Sequence, residues 1–175
     1  MRALPHMLAK RLGAGSGTLL CLLALFNGSA SAQPWQEQEV TLPAPPSKAR
    51  PLAFDVGAGS ELRYTLDTTS IAIGQDGVVR YVVSATSPSG VENVLYEGLR
   101  CDTGEATTYA RWNSSEQRWT MQASWTWRPI SGLAVTRIAL KLAQTGMCDG
   151  RTPNGPVPRM LQDLERGGRL IGDQR

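Results

Sequence analysis

The 175-residue chain carries 18 Lys+Arg against 15 Asp+Glu, a formal net charge of +3 and a sequence pI of about 9.0. Arg2, Lys10 and Arg11 supply three of those bases, so the chain beyond residue 32 balances 15 bases against 15 acids and has no basic excess for nucleic acid. The single histidine, His6, lies in that same first segment, which excludes Ser-His-Asp, Cys-His and His-rich zinc chemistry from the rest.

The first 32 residues read as a secretory signal peptide. The positive start is followed by the apolar run Thr18 to Phe26, and Ala30-Ser31-Ala32 offers a small-residue cleavage site before Gln33. The run is too short to span a bilayer, so no transmembrane segment is expected in the mature chain. Cys21 is preceded by Leu20 rather than a small residue and is followed by further apolar residues, so it reads as an ordinary leader cysteine, not a lipidation site.

Residues 33–51 are expected to form a proline-rich spacer. Pro43-Ala44-Pro45-Pro46 and Pro51 remove backbone donors and favour extended, solvated chain, which places this arm outside the core with Trp35 as a local anchor. From Leu52 to Arg128 the pattern is β-rich. Leu52–Val56 is a short strand, and Leu62, Tyr64 and Leu66 alternate with polar residues. Gly74-Gln75-Asp76-Gly77 and Ser87-Pro88-Ser89-Gly90 are hairpin turns, leading to the strand Val91–Cys101. Thr107–Trp112 pairs with the following strand across Asn113-Ser114-Ser115-Glu116.

In Arg118–Arg128 the residues Trp119, Met121, Ala123, Trp125 and Trp127 share one parity, which predicts a single eleven-residue strand with a bend or bulge. That stripe fills the core beneath a sheet, or part of it lines an open groove, which makes Trp119, Trp125 and Trp127 the candidate ligand-facing residues. Leu133–Gln144 reads as a helix, with an alternating strand pattern left open and Gly146 as a C-cap. Pro156-Val157-Pro158 opens a second short helix with Met160, Leu161 and Leu164 on its apolar side. The expected architecture is α+β: one domain over 52–168, mainly antiparallel sheet with one or two short C-terminal helices, then a polar tail over 169–175.

Cys101 and Cys148 are the only thiols outside the leader, and export leads to an oxidising compartment, so they are expected to pair. Closing a loop of about 48 residues stabilises by roughly 4 kcal/mol on a chain-entropy argument.

The run Asp76-Gly77-Val78-Val79-Arg80-Tyr81, then Ser87-Pro88-Ser89-Gly90, then Asn93-Val94-Leu95-Tyr96-Glu97-Gly98-Leu99-Arg100-Cys101 resembles the CNP-one-like family of exported bacterial proteins. A tryptophan and acidic residues ahead of the prolines, Tyr109-Ala110, Trp119, Trp127-Arg128-Pro129-Ile130 and the second cysteine follow in the same order, over roughly residues 35 to 166. The resemblance implies a single proteobacterial envelope domain and carries no catalytic residue. No nucleotide-binding glycine loop occurs, and the sequence assigns no catalytic residue, no cofactor and no metal. The expected function is a non-catalytic periplasmic domain binding an envelope protein or glycan. The alternative is a histidine-free glycan hydrolase using paired carboxylates, drawn from acids such as Glu92, Glu97, Asp102 and Glu105.

Overall fold

A computed structural model describes residues 34–57 and 59–167. The leader expected over 1–32 and the tail over 169–175 lie outside the described residues. Six strands follow one another as an antiparallel meander: β1 (Pro51–Phe54), β2 (Arg63–Ile73), β3 (Val78–Thr86), β4 (Glu92–Arg100), β5 (Glu105–Asn113) and β6 (Arg118–Met121). A two-residue strand, β7 (Arg128–Pro129), pairs with β5 beside β6. The two expected turns close as hairpins, with the Gly77 N–H donating to the Gly74 carbonyl and the Gly90 N–H to the Ser87 carbonyl.

Alternation along these strands gives the sheet two apolar faces. On the first, Leu66, Val79, Tyr81, Val83 and Leu99 form the main core. The helical segment covers it: α1 (Arg137–Leu142) runs into a π-helical turn (Ala143–Met147), a hairpin of β8 (Cys148–Asp149) and β9 (Thr152–Pro153) follows, and α2 (Val157–Glu165) closes the chain. The architecture is α+β, mainly antiparallel, with two short helices near the C-terminus. Ile138, Leu142, Met147, Met160 and Leu164 bury themselves against the sheet. The alternatives for Leu133–Gln144 resolve to helix over its second half, because only that half meets the sheet; Leu133 and Val135 stay exposed. Gly146 has φ 150°, and a Cβ there would sit 2.9 Å from the Leu164 amide nitrogen, so the turn can lie against α2 only with glycine at this position. Cys101 at the end of β4 is bonded to Cys148 at the start of β8 and ties the helical segment to the sheet.

The expected single strand over 118–128 is interrupted. Pairing with β5 stops at Met121, Gln122–Trp127 has no strand, and Arg128 resumes it. Met121 and Ala123 are exposed, so the parity does not describe one buried face. Within the interrupted stretch, the Trp125 and Trp127 indoles donate to a carboxylate of the N-terminal arm.

Candidate functional site

The second face of the sheet holds Val82, Val94, Tyr96, Tyr109, Ala110 and Trp119 as a smaller apolar cluster. Its layout follows from a bulge in β5. Tyr96 pairs with Ala110 and Glu97 with Thr108, so Tyr109 is an extra residue and its side chain shares a face with Ala110. The bulge also resets the alternation, which puts Trp112 on the same face as Tyr109 although the two are three residues apart. Gly98, facing this bulge, leaves room for the phenol: a Cβ there would lie 2.4 Å from the Tyr109 hydroxyl oxygen. The Tyr96-to-Cys101 block thereby acquires a residue-by-residue reading. Tyr96 packs on Tyr109 and Trp119, Glu97 and Leu99 point to the main core, and Arg100 stacks its guanidinium 3.7 Å above the ring of Trp35.

Over this face lies the arm that composition places outside the core. It contains no helix or strand before Pro51, yet its side chains are bound to the sheet. The Glu37 carboxylate accepts hydrogen bonds from the Tyr109 hydroxyl (2.6 Å) and from the Trp125 and Trp127 indole nitrogens (3.0 and 3.2 Å), with the Arg80 guanidinium 3.8 Å away. Arg80 is itself paired with Asp76 at 2.6 Å, and Asp76 also receives the Gln38 N–H. Burial alone would push the Asp76 carboxyl up, but Arg80 and the backbone N–H groups of Gln38 and Val78 reverse this and hold it below the usual carboxylate range. Burial and the bond to Glu37 raise the pKa of Tyr109, so its phenol stays a donor. The Trp35 indole donates to the Asp76 carbonyl, and the Trp119 indole to the Ala44 carbonyl. The prolines thus run along the sheet because side chains on either side of them are anchored to it.

Of the candidate ligand-facing residues, Trp119 is buried, and Trp125 and Trp127 are half-buried. The indole N–H groups of all three are engaged by the protein's own arm. The structure gathers them on one face, where they hold Glu37 and the proline segment.

Open regions remain on both sides of the sheet, and two of them concern the candidate residues. One, of about 500 Å³, lies on the second face between the proline segment and the strands. The other, of about 420 Å³, runs beside β5 and is lined by Glu97, Thr108, Arg111, Gln122, Trp125 and Arg128. Glu97 is its notable group. It accepts from the Tyr81 hydroxyl at 3.0 Å and the Thr108 hydroxyl at 3.3 Å, and burial pushes its carboxyl up to about 7, against the pull of these bonds and of Arg111. Among the described residues lining this region it is the sole carboxylate. Asp102 and Glu105 both bind Arg100 (2.9 and 3.4 Å), and Glu92 faces Lys48 at 3.7 Å. No group of three or more His, Cys, Asp and Glu among the described residues is placed to hold a metal.

Glu97 predicts a pH dependence of stability. The folded protein keeps this proton up to about pH 7, whereas an unfolded glutamate releases it near 4.5. Between those values the folded state binds more protons, so stability falls as pH rises, by about 3 kcal/mol in total. Glu97→Gln keeps the shape of the protonated acid without its titration. Its melting temperature should lie above that of the parent at and above about pH 7 and should follow a flatter profile between about 4.5 and 7. A profile parallel to the parent's would mean that Glu97 is not the group responsible.

A sequence profile described as the CNP1-like family matches residues 30–165. The chain is also similar to "Cryptic neisserial protein 1" of Neisseria gonorrhoeae, with 25% identity over 155 residues, covering 80% of this chain and 76% of the relative. No solved structure matches it.

Proposed function

This chain belongs to the CNP1-like family, and from that premise we propose that it acts in the periplasm as a binding domain of the cell envelope, without turnover. The observation that carries the reading is how the charged groups are spent. On the second face, Glu37 and Asp76 share the one guanidinium of Arg80 and pin the arm, while an open, polar-lined region remains beside them. A catalytic centre needs charged groups left available to substrate; a binding surface needs shape and hydrogen-bonding edges. The Cys101–Cys148 bond and the leader pattern support export. Among the described residues no helix is long and apolar enough to cross a membrane.

Glu97 favours a second reading, since a carboxyl titrating near neutrality suits a general acid. A glycan hydrolase also needs a partner carboxylate roughly 5 to 10 Å away, and the described residues lining that region supply none.

The test is fractionation of cells making the full chain. The periplasmic fraction should contain protein beginning at Gln33, by mass spectrometry, and crosslinking in intact cells should retain it on an envelope component. Cytoplasmic protein with an intact leader, or a diacylated Cys21, would overturn export. Hydrolysis of envelope glycan by the purified protein, lost in Glu97→Gln, would replace binding by catalysis.

A further inference from the structure

The five tryptophans are not equivalent. Trp35, Trp119, Trp125 and Trp127 each donate their indole N–H to an internal acceptor. Trp112 has no acceptor among the described residues. It is half-buried, stands edge-on to Trp119 at a ring separation of 5.3 Å, and lines the 500 Å³ region beside the proline segment. It also lines an adjoining region of about 450 Å³ that runs along β5 and β6, and Glu92 and Ser114 are common to both. Glu92, Trp112 and Ser114 join the two into one groove, in which the indole rests on Trp119 and its N–H bonds to no other described residue.

We propose that this groove binds a chain of neutral or N-acetylated sugars, with Trp112 as the stacking platform. The proposal rests on the binding reading above and names its ligand class. The chemistry around the ring matches a pyranose, which has apolar C–H faces and hydroxyl edges. Val82 and Val94 make the floor apolar. Around them stand Thr65, Ser84 and Ser114, whose hydroxyls bond to no other described residue, and Gln117, whose carbonyl is likewise unbonded. Neutral donors and acceptors spread along the groove would recognise hydroxyl and acetamido edges of successive sugars while the ring takes a sugar face. The electrostatics give an anionic ligand no advantage: Asp67 and Glu92 line the groove against Lys48, which faces Glu92, and Arg111, so acids and bases balance among its described residues. An added peptide strand would pair with backbone at a sheet edge, whereas the part of the groove beside the proline segment lies on a sheet face.

The experiment is a two-dimensional NMR titration of the processed protein, purified from exporting cells, with tetra-N-acetylglucosamine and cellotetraose as probes. The indole N–H signal of Trp112, identified by its loss in Trp112→Phe, should shift with at least one probe while the other four indole signals hold. Trp112→Ala should weaken binding at least tenfold, its fold checked by the four remaining signals. Ser84→Val, which fills the floor without touching the ring, should weaken it too. A stationary Trp112 signal with both sugars, or one that moves only with peptide, overturns the proposal. Correct export with such a result would reject the sugar ligand and leave the envelope reading standing; cytoplasmic retention would reject that reading whatever the titration gave.

Discussion

Glu37→Ala should lower stability by about 3 to 5 kcal/mol, although the residue belongs to an arm without regular structure. Removing the carboxylate strands three donors at once, the Tyr109 hydroxyl and two indole N–H groups, and takes a counter-charge from Arg80, which keeps its pair with Asp76. Each unpaired buried donor costs about 1 to 3 kcal/mol, and partial access of water keeps the sum below simple addition. The melting temperature should fall by more than roughly 10 °C for a domain of this size. Tryptophan emission should shift to the red as Trp125 and Trp127 lose their cover. Glu37→Gln should be intermediate, since its amide accepts at one end and presents a donor to other donors at the opposite end. Glu39→Ala, two residues on and exposed, should change stability by no more than about 0.5 kcal/mol. If Glu37→Ala melts like the parent, the arm is not a structural part of the sheet's second face.

How much of this was legible beforehand differs by element. The strands, both hairpin turns and the second helix follow from local pattern, because alternation, turn residues and a Pro-led apolar stripe act over short spans, and the disulfide follows from there being two cysteines outside the leader. The arm does not follow. Its composition speaks for extended chain, which is correct locally, but its attachment comes from Glu37 meeting residues more than seventy positions away. The tryptophan stripe misleads in a related way: regular parity is satisfied by Trp119 in a strand, while the two later indoles lie outside it and bond to Glu37 of the distant arm, a contact that parity cannot foretell. Trp112, whose indole N–H bonds to no other described residue, is hidden by the bulge at Tyr109, since counting in twos from Tyr109 assigns it to the wrong face. A sequence signal for it does exist, in an aromatic residue directly ahead of the small polar turn Asn113-Ser114-Ser115, where a strand end opens to solvent.

Reducing the Cys101–Cys148 bond, or replacing both residues by serine, should cost about 4 kcal/mol, because it restores the freedom of a 47-residue separation to the unfolded chain. Where that loss appears is as informative as its size. The sheet strands pair with sequence neighbours over long ladders, as β3 does with β4 across nine residue pairs. The helical segment has no ladder to the sheet and relies on side chains such as Leu142, Met147, Met160 and Leu164, together with the bond at Cys148. In the reduced protein, amide exchange should therefore accelerate first over 137–165, while β2 to β4 keep their protection until global unfolding. Exposure of Leu66, Val79 and Leu99 beneath the departing helices would make the reduced form prone to association. Uniform acceleration across sheet and helices would show instead that the two layers unfold as one unit and that the bond acts only through the unfolded chain.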